Sequence, residues 1–291
     1  MAQKEFCDAA PSACGNGGLV IAVDKPLQWT SFQVVNKLKW HIRRQFGLKK
    51  LKIGHAGTLD PMATGLLLVC VGKATKLIDQ LQNGTKTYSG TMVFGATTPC
   101  YDLEQSIDRY YPYEHLNKQM LEQSLHYFVG NMEQIPPHFS AVKVDGQRAY
   151  TAARNGEEPT LKAKQITVYD FQITDFREGS KQHDTPAGEA ASKPVGSLSR
   201  ELYRQPQGTV PSWLPQADFR ISCSKGTYIR SLARDLGTAL GSGAFLSALR
   251  REQIGEYGID DALKVDEIES TVVPTNKKYE VLKTIAEQQK Q

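Results

Sequence analysis

Lys52-Ile53-Gly54-His55-Ala56-Gly57-Thr58-Leu59-Asp60-Pro61-Met62-Ala63-Thr64-Gly65 packs one carboxylate, one imidazole, three glycines and a proline into a single short run. Glycines this closely spaced mark turns that a side chain would forbid, or a loop that another molecule approaches closely. Asp60 precedes Pro61, which biases it away from helix toward an extended or turn conformation. A carboxylate presented on a rigid, irregular loop is a candidate for chemistry. An isolated Asp-Pro pair would read more simply as a turn with a solvated carboxylate, so the surroundings have to decide.

Upstream of the loop, Leu19 to Val23 reads as a buried strand that turns at Lys25-Pro26. Thr30 or Ser31 caps a helix through about Phe46, with Val34, Val35, Leu38, Ile42 and Phe46 as its apolar stripe. Residues 36–52 hold seven Lys/Arg (Lys37, Lys39, Arg43, Arg44, Lys49, Lys50 and Lys52) and no Asp or Glu. Such a block attracts phosphates. A solvated helix face explains the charge equally well, but its place directly before the His55/Asp60 loop favours nucleic acid.

Downstream, Leu66 to Val71 is strand-like and Lys73 to Gln82 helix-like. Tyr88 to Gly95 alternates as a strand, and His115 to Phe128 has helical spacing. Ile166 to Phe176 and Ala217 to Cys223 read as strands, Thr227 to Leu240 as a helix and Ala244 to Arg251 as another short one. Residues 1–18 form a small, polar tail, and the 177–216 segment is rich in Gly, Ser, Pro, Gln and Ala, as a flexible insertion would be. Tyr279 to Gln291 reads as a charged terminal helix in a short extension over 267–291. Strands mixed with helices, without regular β-α alternation, predict an α+β domain over 19–266 on a mixed, mostly antiparallel central sheet flanked by helices.

At 291 residues, 40% hydrophobic and 23% charged, the chain has the composition of a soluble globular protein able to bury a real core. Its longest apolar run, Leu66 to Val71, is far too short to span a bilayer, and Met1 to Gly18 has no apolar signal core. Five scattered cysteines argue against both a disulfide framework and a zinc site and fit a reducing cytoplasm. Cys70 and Cys223 lie in apolar strand-like runs, where a buried inert thiol is expected.

The run Gly54-His55-x-Gly57-Thr58-Leu59-Asp60-Pro61-x-Ala63-x-Gly65-Leu66-Leu67 resembles the catalytic loop of the TruB-type pseudouridine synthases. Four further stretches resemble the same family in the same order. They are Leu19 to Pro26 with Thr30-Ser31; Lys86-Thr87-Tyr88; Ile135-Pro136-Pro137 with Phe139-Ser140-Ala141; and Cys223 to Arg230. The resemblance implies the pseudouridine synthase fold and an isomerase that turns the T-loop uridine of tRNA into pseudouridine, with no metal or other cofactor. The reaction breaks the N1–ribose bond and rejoins the base through C5, so a base stacked in the T-loop must first be flipped out.

By the same resemblance Asp60 is the nucleophile. Arg230 is assigned to oppose the desolvation that would otherwise protonate it, and Tyr88 to stack near the uracil and accept the C5 proton. His55, Tyr228, Leu249 and Lys25 fall on substrate-binding positions. Residues 135–162 correspond to an RNA-clamping segment in which Lys143, Arg148 and Arg154 can meet phosphates. Many relatives carry a C-terminal PUA domain that this chain is expected to lack, which also weighs against the guide-RNA-dependent relatives. The expectation is a stand-alone monomer acting on the tRNA T-arm, with no membrane partner. Two other classes compete: a tRNA-folding helper that only binds, and a metal-dependent hydrolase built on His41, His55 and Asp60. The first has no need of the Asp60, Tyr88 and Arg230 trio, and the second lacks zinc-ligand spacing.

Overall fold

The computed structural model describes residues 18–140, 142–144, 147–148, 160–180, 210–268, 283–285 and 287. In chain order the elements are β1 (Gly18–Lys25), α1 (Ser31–Phe46), β2 (Ile53–His55), β3 (Ala63–Gly72), a 3-10 turn (Lys73–Leu77) and α2 (Ile78–Asn83). Next come β4 (Lys86–Phe94), β5 (Ala96–Thr97), β6 (Arg109–Tyr110), α3 (Lys118–Leu125), β7 (Gly130–Gln134), β8 (Lys143–Val144) and β9 (Gln147–Arg148). The chain continues through β10 (Lys164–Arg177), β11 (Gln216–Cys223), α4 (Ile229–Ala239), β12 (Ala244–Ile254), β13 (Tyr257–Gly258) and β14 (Leu263–Lys264). The result is α+β, with mixed but mostly antiparallel strand pairing flanked by helices. Two compact units form: Met1–Lys86 with Arg250–Gln291, and Thr87–Leu249. Both contribute to the 19–266 span expected as one catalytic domain.

In the first unit β1 pairs antiparallel with β3 from Gly18↔Gly72 to Lys25↔Gly65 and parallel with β14. β2 lies on β3 through Ile53↔Val71 and His55↔Val69. Alternate residues of β1 and β3 feed two apolar layers. Leu19, Ile21, Leu67, Val69 and Val71 pack with Val34, Val35, Leu38 and Ile42 of α1. Val20, Ala22, Leu66, Leu68 and Cys70 pack with Ala74, Ile254 and Tyr257 on the other face. A strand covered on both faces has no polar side, which is why β3 reads as an unbroken apolar run. Helix α1 starts where its caps dictate: Thr30 and Gln33 form a capping box, and Gly47 closes the far end at φ 63°.

In the second unit the strand order is β12-β4-β11-β10-β7. β10 pairs antiparallel with β11, from Val168↔Cys223 to Arg177↔Gln216, and with β7 from Lys164↔Gln134 to Val168↔Gly130. Arg177 and Gln216, the ends of the 177–216 segment, are therefore direct partners in a hairpin, while 181–209 lie outside the described residues. Helix α3 packs on β10 and against α4.

Ala244 to Arg251 is not a helix. It forms most of β12, whose first half belongs to the second unit and whose last residues, from Arg250, belong to the first. Ala, Leu and Arg are good helix formers, but Ala244, Phe245 and Leu246 are all buried, so pairing on both edges overrides local preference. The Lys73 to Gln82 helix divides into the 3-10 turn and α2, and the His115 to Phe128 helix into α3 and a 3-10 turn at His126–Phe128. Of the terminal helix, 283–285 and 287 are helical and the rest lies outside the described residues, as does the tail before Gly18. Cys70, Cys100 and Cys223 are buried, and burial pushes the Cys70 thiol up to about 12.

Candidate active site

β2 delivers the chain through His55, and β3 takes it up again at Ala63. Between them the loop is pinned at nearly every residue. The Ala56 amide donates to the Leu68 carbonyl (2.9 Å), the Gln28 amide to that of Pro61 (2.8 Å) and the Ala63 amide to that of Asp60 (3.1 Å). Ser31, in the first turn of α1, clasps Leu59: its Oγ accepts from the Leu59 amide at 2.9 Å and donates to the Leu59 carbonyl at 3.1 Å. Leu59 is buried and Asp60 is half-buried. The carboxylate therefore projects from a backbone fixed on both sides.

Beneath the loop runs Lys25, fully buried at the end of β1. Its Nζ donates to the carbonyls of Trp29 (2.6 Å) and Pro26 (2.9 Å), with that of Pro61 at 3.5 Å. Burial lowers its pKa to about 8; Asp60 opposes the shift, Arg251 adds to it and Asp24 opposes it. At neutral pH a buried ammonium thus underlies Asp60.

The third support is Arg251, which the sequence reading places only in a short helix. Its side chain is buried at 1% exposure. Nε donates to the Leu66 carbonyl at 2.7 Å, Nη2 to that of Gly57 at 3.1 Å and Nη1 to that of Thr58 at 3.4 Å. One guanidinium fork thereby ties both ends of the loop together. Neighbouring Arg250 makes a bidentate pair with Asp24 (3.1 and 2.8 Å). His55 is half-buried, and burial first, then Arg251, lower its pKa from the usual 6.5 against an opposing interaction with the Gly57 backbone. Its imidazole is neutral at pH 7 and suits hydrogen bonding rather than charge pairing.

The remaining expected site residues belong to the second unit. Tyr88 is buried on β4. Arg230, in the first turn of α4, is 3% exposed. It donates from Nη1 to the Cys100 carbonyl (3.0 Å) and from Nη2 to the Phe139 carbonyl (2.9 Å), with Nε 3.7 Å from Asp102. Asp102, itself buried, is a partner that sequence reasoning missed, because nothing local links Thr98-Pro99-Cys100-Tyr101-Asp102 to an arginine far along the chain. Tyr228 is the N-terminal cap of α4 and Leu249 is half-buried on β12. Lys143 and Arg148 pair in the β8–β9 hairpin; Arg154 lies outside the described residues.

The first unit therefore brings Asp60, Lys25 and His55 together with Arg251, and the second holds Tyr88, Arg230, Tyr228 and Leu249. His41, considered with His55 and Asp60 as a metal set, stands edge-on to Trp40 on α1 at 4.7 Å. Among the described residues no group of three or more His, Cys, Asp or Glu is placed to hold a metal ion. What the first unit offers is a rigidly mounted carboxylate beside a buried cation, an arrangement suited to nucleophilic or acid–base chemistry.

Residues 43–187 match the TruB family pseudouridylate synthase (N terminal domain), and residues 230–285 match the tRNA pseudouridylate synthase B C-terminal domain. The chain is 45% identical over 249 residues to the tRNA pseudouridine synthase B of Phocaeicola vulgatus, covering 86% of this chain and 91% of that protein. It is 41% identical to the tRNA pseudouridine synthase B of Thermobifida fusca, over 88% of this chain and 76% of that one. Among solved structures it resembles one from a Cbf5-Nop10-Gar1 complex, with a TM-score of 0.56 and 24% identity, over 92% of this chain and 58% of that one. That likeness speaks to the fold.

Proposed function

The chain belongs to the TruB family of pseudouridylate synthases, and on that premise we propose that it is a tRNA pseudouridine synthase acting on the T-loop uridine. The observation that carries this reading is the loop at Asp60: a half-buried carboxylate mounted over buried Lys25, in a chain 45% identical to a tRNA pseudouridine synthase B. The target uridine is flipped out of the T-loop stack and received at the loop. Asp60 acts as the nucleophile that releases the base from its N1–ribose bond. The freed uracil turns and rejoins through C5, and Tyr88 accepts the C5 proton. Arg230 helps keep the nucleophile ionised, while His55, Tyr228, Leu249 and Lys25 hold the RNA and the base in place. In this reading the enzyme works in the cytoplasm as a monomer on the tRNA T-arm, without a guide RNA or a membrane partner.

A purely binding role in tRNA folding would leave the Asp60 mounting without a purpose. The test is release of tritium from a tRNA transcript labelled at uracil C5. The wild-type protein should release one equivalent, and a transcript with cytidine at the T-loop position should release none. Tight binding without release would favour the folding helper instead.

A further inference from the structure

We propose that Gln134 is a positioning residue for this reaction, setting the backbone that carries Tyr228 and Arg230; the proposal rests on the functional reading above. Gln134 is the last residue of β7 and is 2% exposed. Its side-chain amide makes two bonds to a single residue. Oε1 accepts from the Tyr228 amide at 2.8 Å, and Nε2 donates to the Tyr228 carbonyl at 3.1 Å. A primary amide satisfies both groups because it carries a donor and an acceptor side by side.

The residue so clasped needs an external anchor. Tyr228 is the N-terminal cap of α4, at φ −99° and ψ 108°, and its own side chain makes no capping hydrogen bond to the helix. Gly226 at φ 80° turns the chain just before it, so the first turn of α4 follows a bend rather than a straight lead-in. Two further side chains tie that turn to the residue after Gln134: Ser231 Oγ donates to the Ile135 carbonyl at 2.9 Å, and Arg234 Nη2 to the same carbonyl at 3.0 Å. Arg230 reaches the Phe139 carbonyl from the same turn. The end of β7 and the beginning of α4 are thus laced together, and Gln134 is the only one of these side chains that fixes the Tyr228 backbone from both sides. Tyr228, the cap of α4, is assigned to the substrate and Arg230, in its first turn, to keeping the nucleophile ionised, so a shift of that turn moves both. A misplacement of about 1 Å in such groups is felt in the chemical step rather than in overall affinity.

The experiment compares wild type with Gln134→Leu and Gln134→Glu on a T-arm tRNA transcript, measuring kcat and KM per folded molecule, with the folded fraction taken from circular dichroism. Gln134→Leu should lower kcat by about tenfold or more while KM stays within about threefold. Gln134→Glu is isosteric: its carboxylate still accepts from the Tyr228 amide but opposes the Tyr228 carbonyl until it is protonated. Burial raises the pKa of such a carboxyl, so the kcat of Gln134→Glu relative to wild type should climb as pH falls from about 8 to about 6. This recovery is readable even if Gln134→Leu folds poorly. A residue needed only for folding would lower the folded fraction and leave kcat per folded molecule unchanged. Active wild-type enzyme with a pH-independent ratio, or with kcat of the folded Leu variant unchanged, would overturn the proposal alone. Inert wild-type enzyme would overturn the functional reading and the proposal with it.

Discussion

At the residue scale the Asp60 loop rests on two buried cations, Lys25 and Arg251. Lys25 gives a pH signature whose sign is fixed. An unfolded lysine titrates near 10.5, whereas burial brings this one to about 8. Below about pH 8 both folded and unfolded chains hold the proton, and the buried charge weighs against folding. Between about 8 and 10.5 only the unfolded chain holds it, so stability rises with pH across that window. Urea unfolding of wild type and Lys25→Met should show their difference shifting in favour of wild type by up to about 3 kcal/mol over the window. A difference independent of pH would show that the lysine is not buried as a cation. Arg251 makes a separate prediction. Replacing it with methionine strands the carbonyls of Gly57, Thr58 and Leu66, at a cost of roughly 3 kcal/mol in urea unfolding. A loss below about 1 kcal/mol would mean that the fork does not hold the loop. Asp60 and Lys25 could be picked out in the sequence because they lie in short runs with their own signature. Arg251 and Gln134 could not, because each bonds to backbone groups distant in the chain, and carbonyls and amides carry no residue-specific mark; Asp102 could not, because the arginine beside it lies far along the chain.

At the scale of elements, α1 was legible and β12 was not. Helix α1 announces itself through a capping box, an apolar stripe and a closing glycine. β12 is buried along Ala244 to Leu246 and so lacks the alternation that marks a strand with one wet face. Its best advertisement lies in its neighbours. A Cβ at Gly65 would fall 2.3 Å from the Arg251 carbonyl oxygen, at a backbone φ of 101°, and one at Gly90 would fall 2.3 Å from the Ala248 carbonyl oxygen. Each glycine admits a close-packed neighbouring backbone. Gly65→Ala should therefore fail to give soluble folded protein or lower stability by about 3 kcal/mol or more, as read by thermal unfolding. A fully folded variant with wild-type melting would contradict the close approach of β3 and β12.

At the scale of the molecule, the α+β class and most strands were readable from alternation and turn residues, but the division into units was not. Chain order hides it, since the last strands return to the first. Charge distribution is legible at this scale and has a consequence for RNA. Arg43, Arg44, Lys49, Lys50 and Lys52 are all exposed. Replacing Lys49 and Lys50 with glutamate should raise KM for tRNA, leave kcat unchanged and flatten the log KM against log salt slope by roughly 0.7–0.9 for each phosphate contact removed. An unchanged slope would make the block a solvated face.

The central claim is that Asp60 isomerises the T-loop uridine of tRNA. It is tested most directly by mapping pseudouridine in an unmodified tRNA transcript incubated with wild type or with Asp60→Ala, in the presence of EDTA. The account predicts pseudouridine at the T-loop position with wild type and none with the variant. Modification by both proteins, or by neither while tRNA still binds, would contradict it.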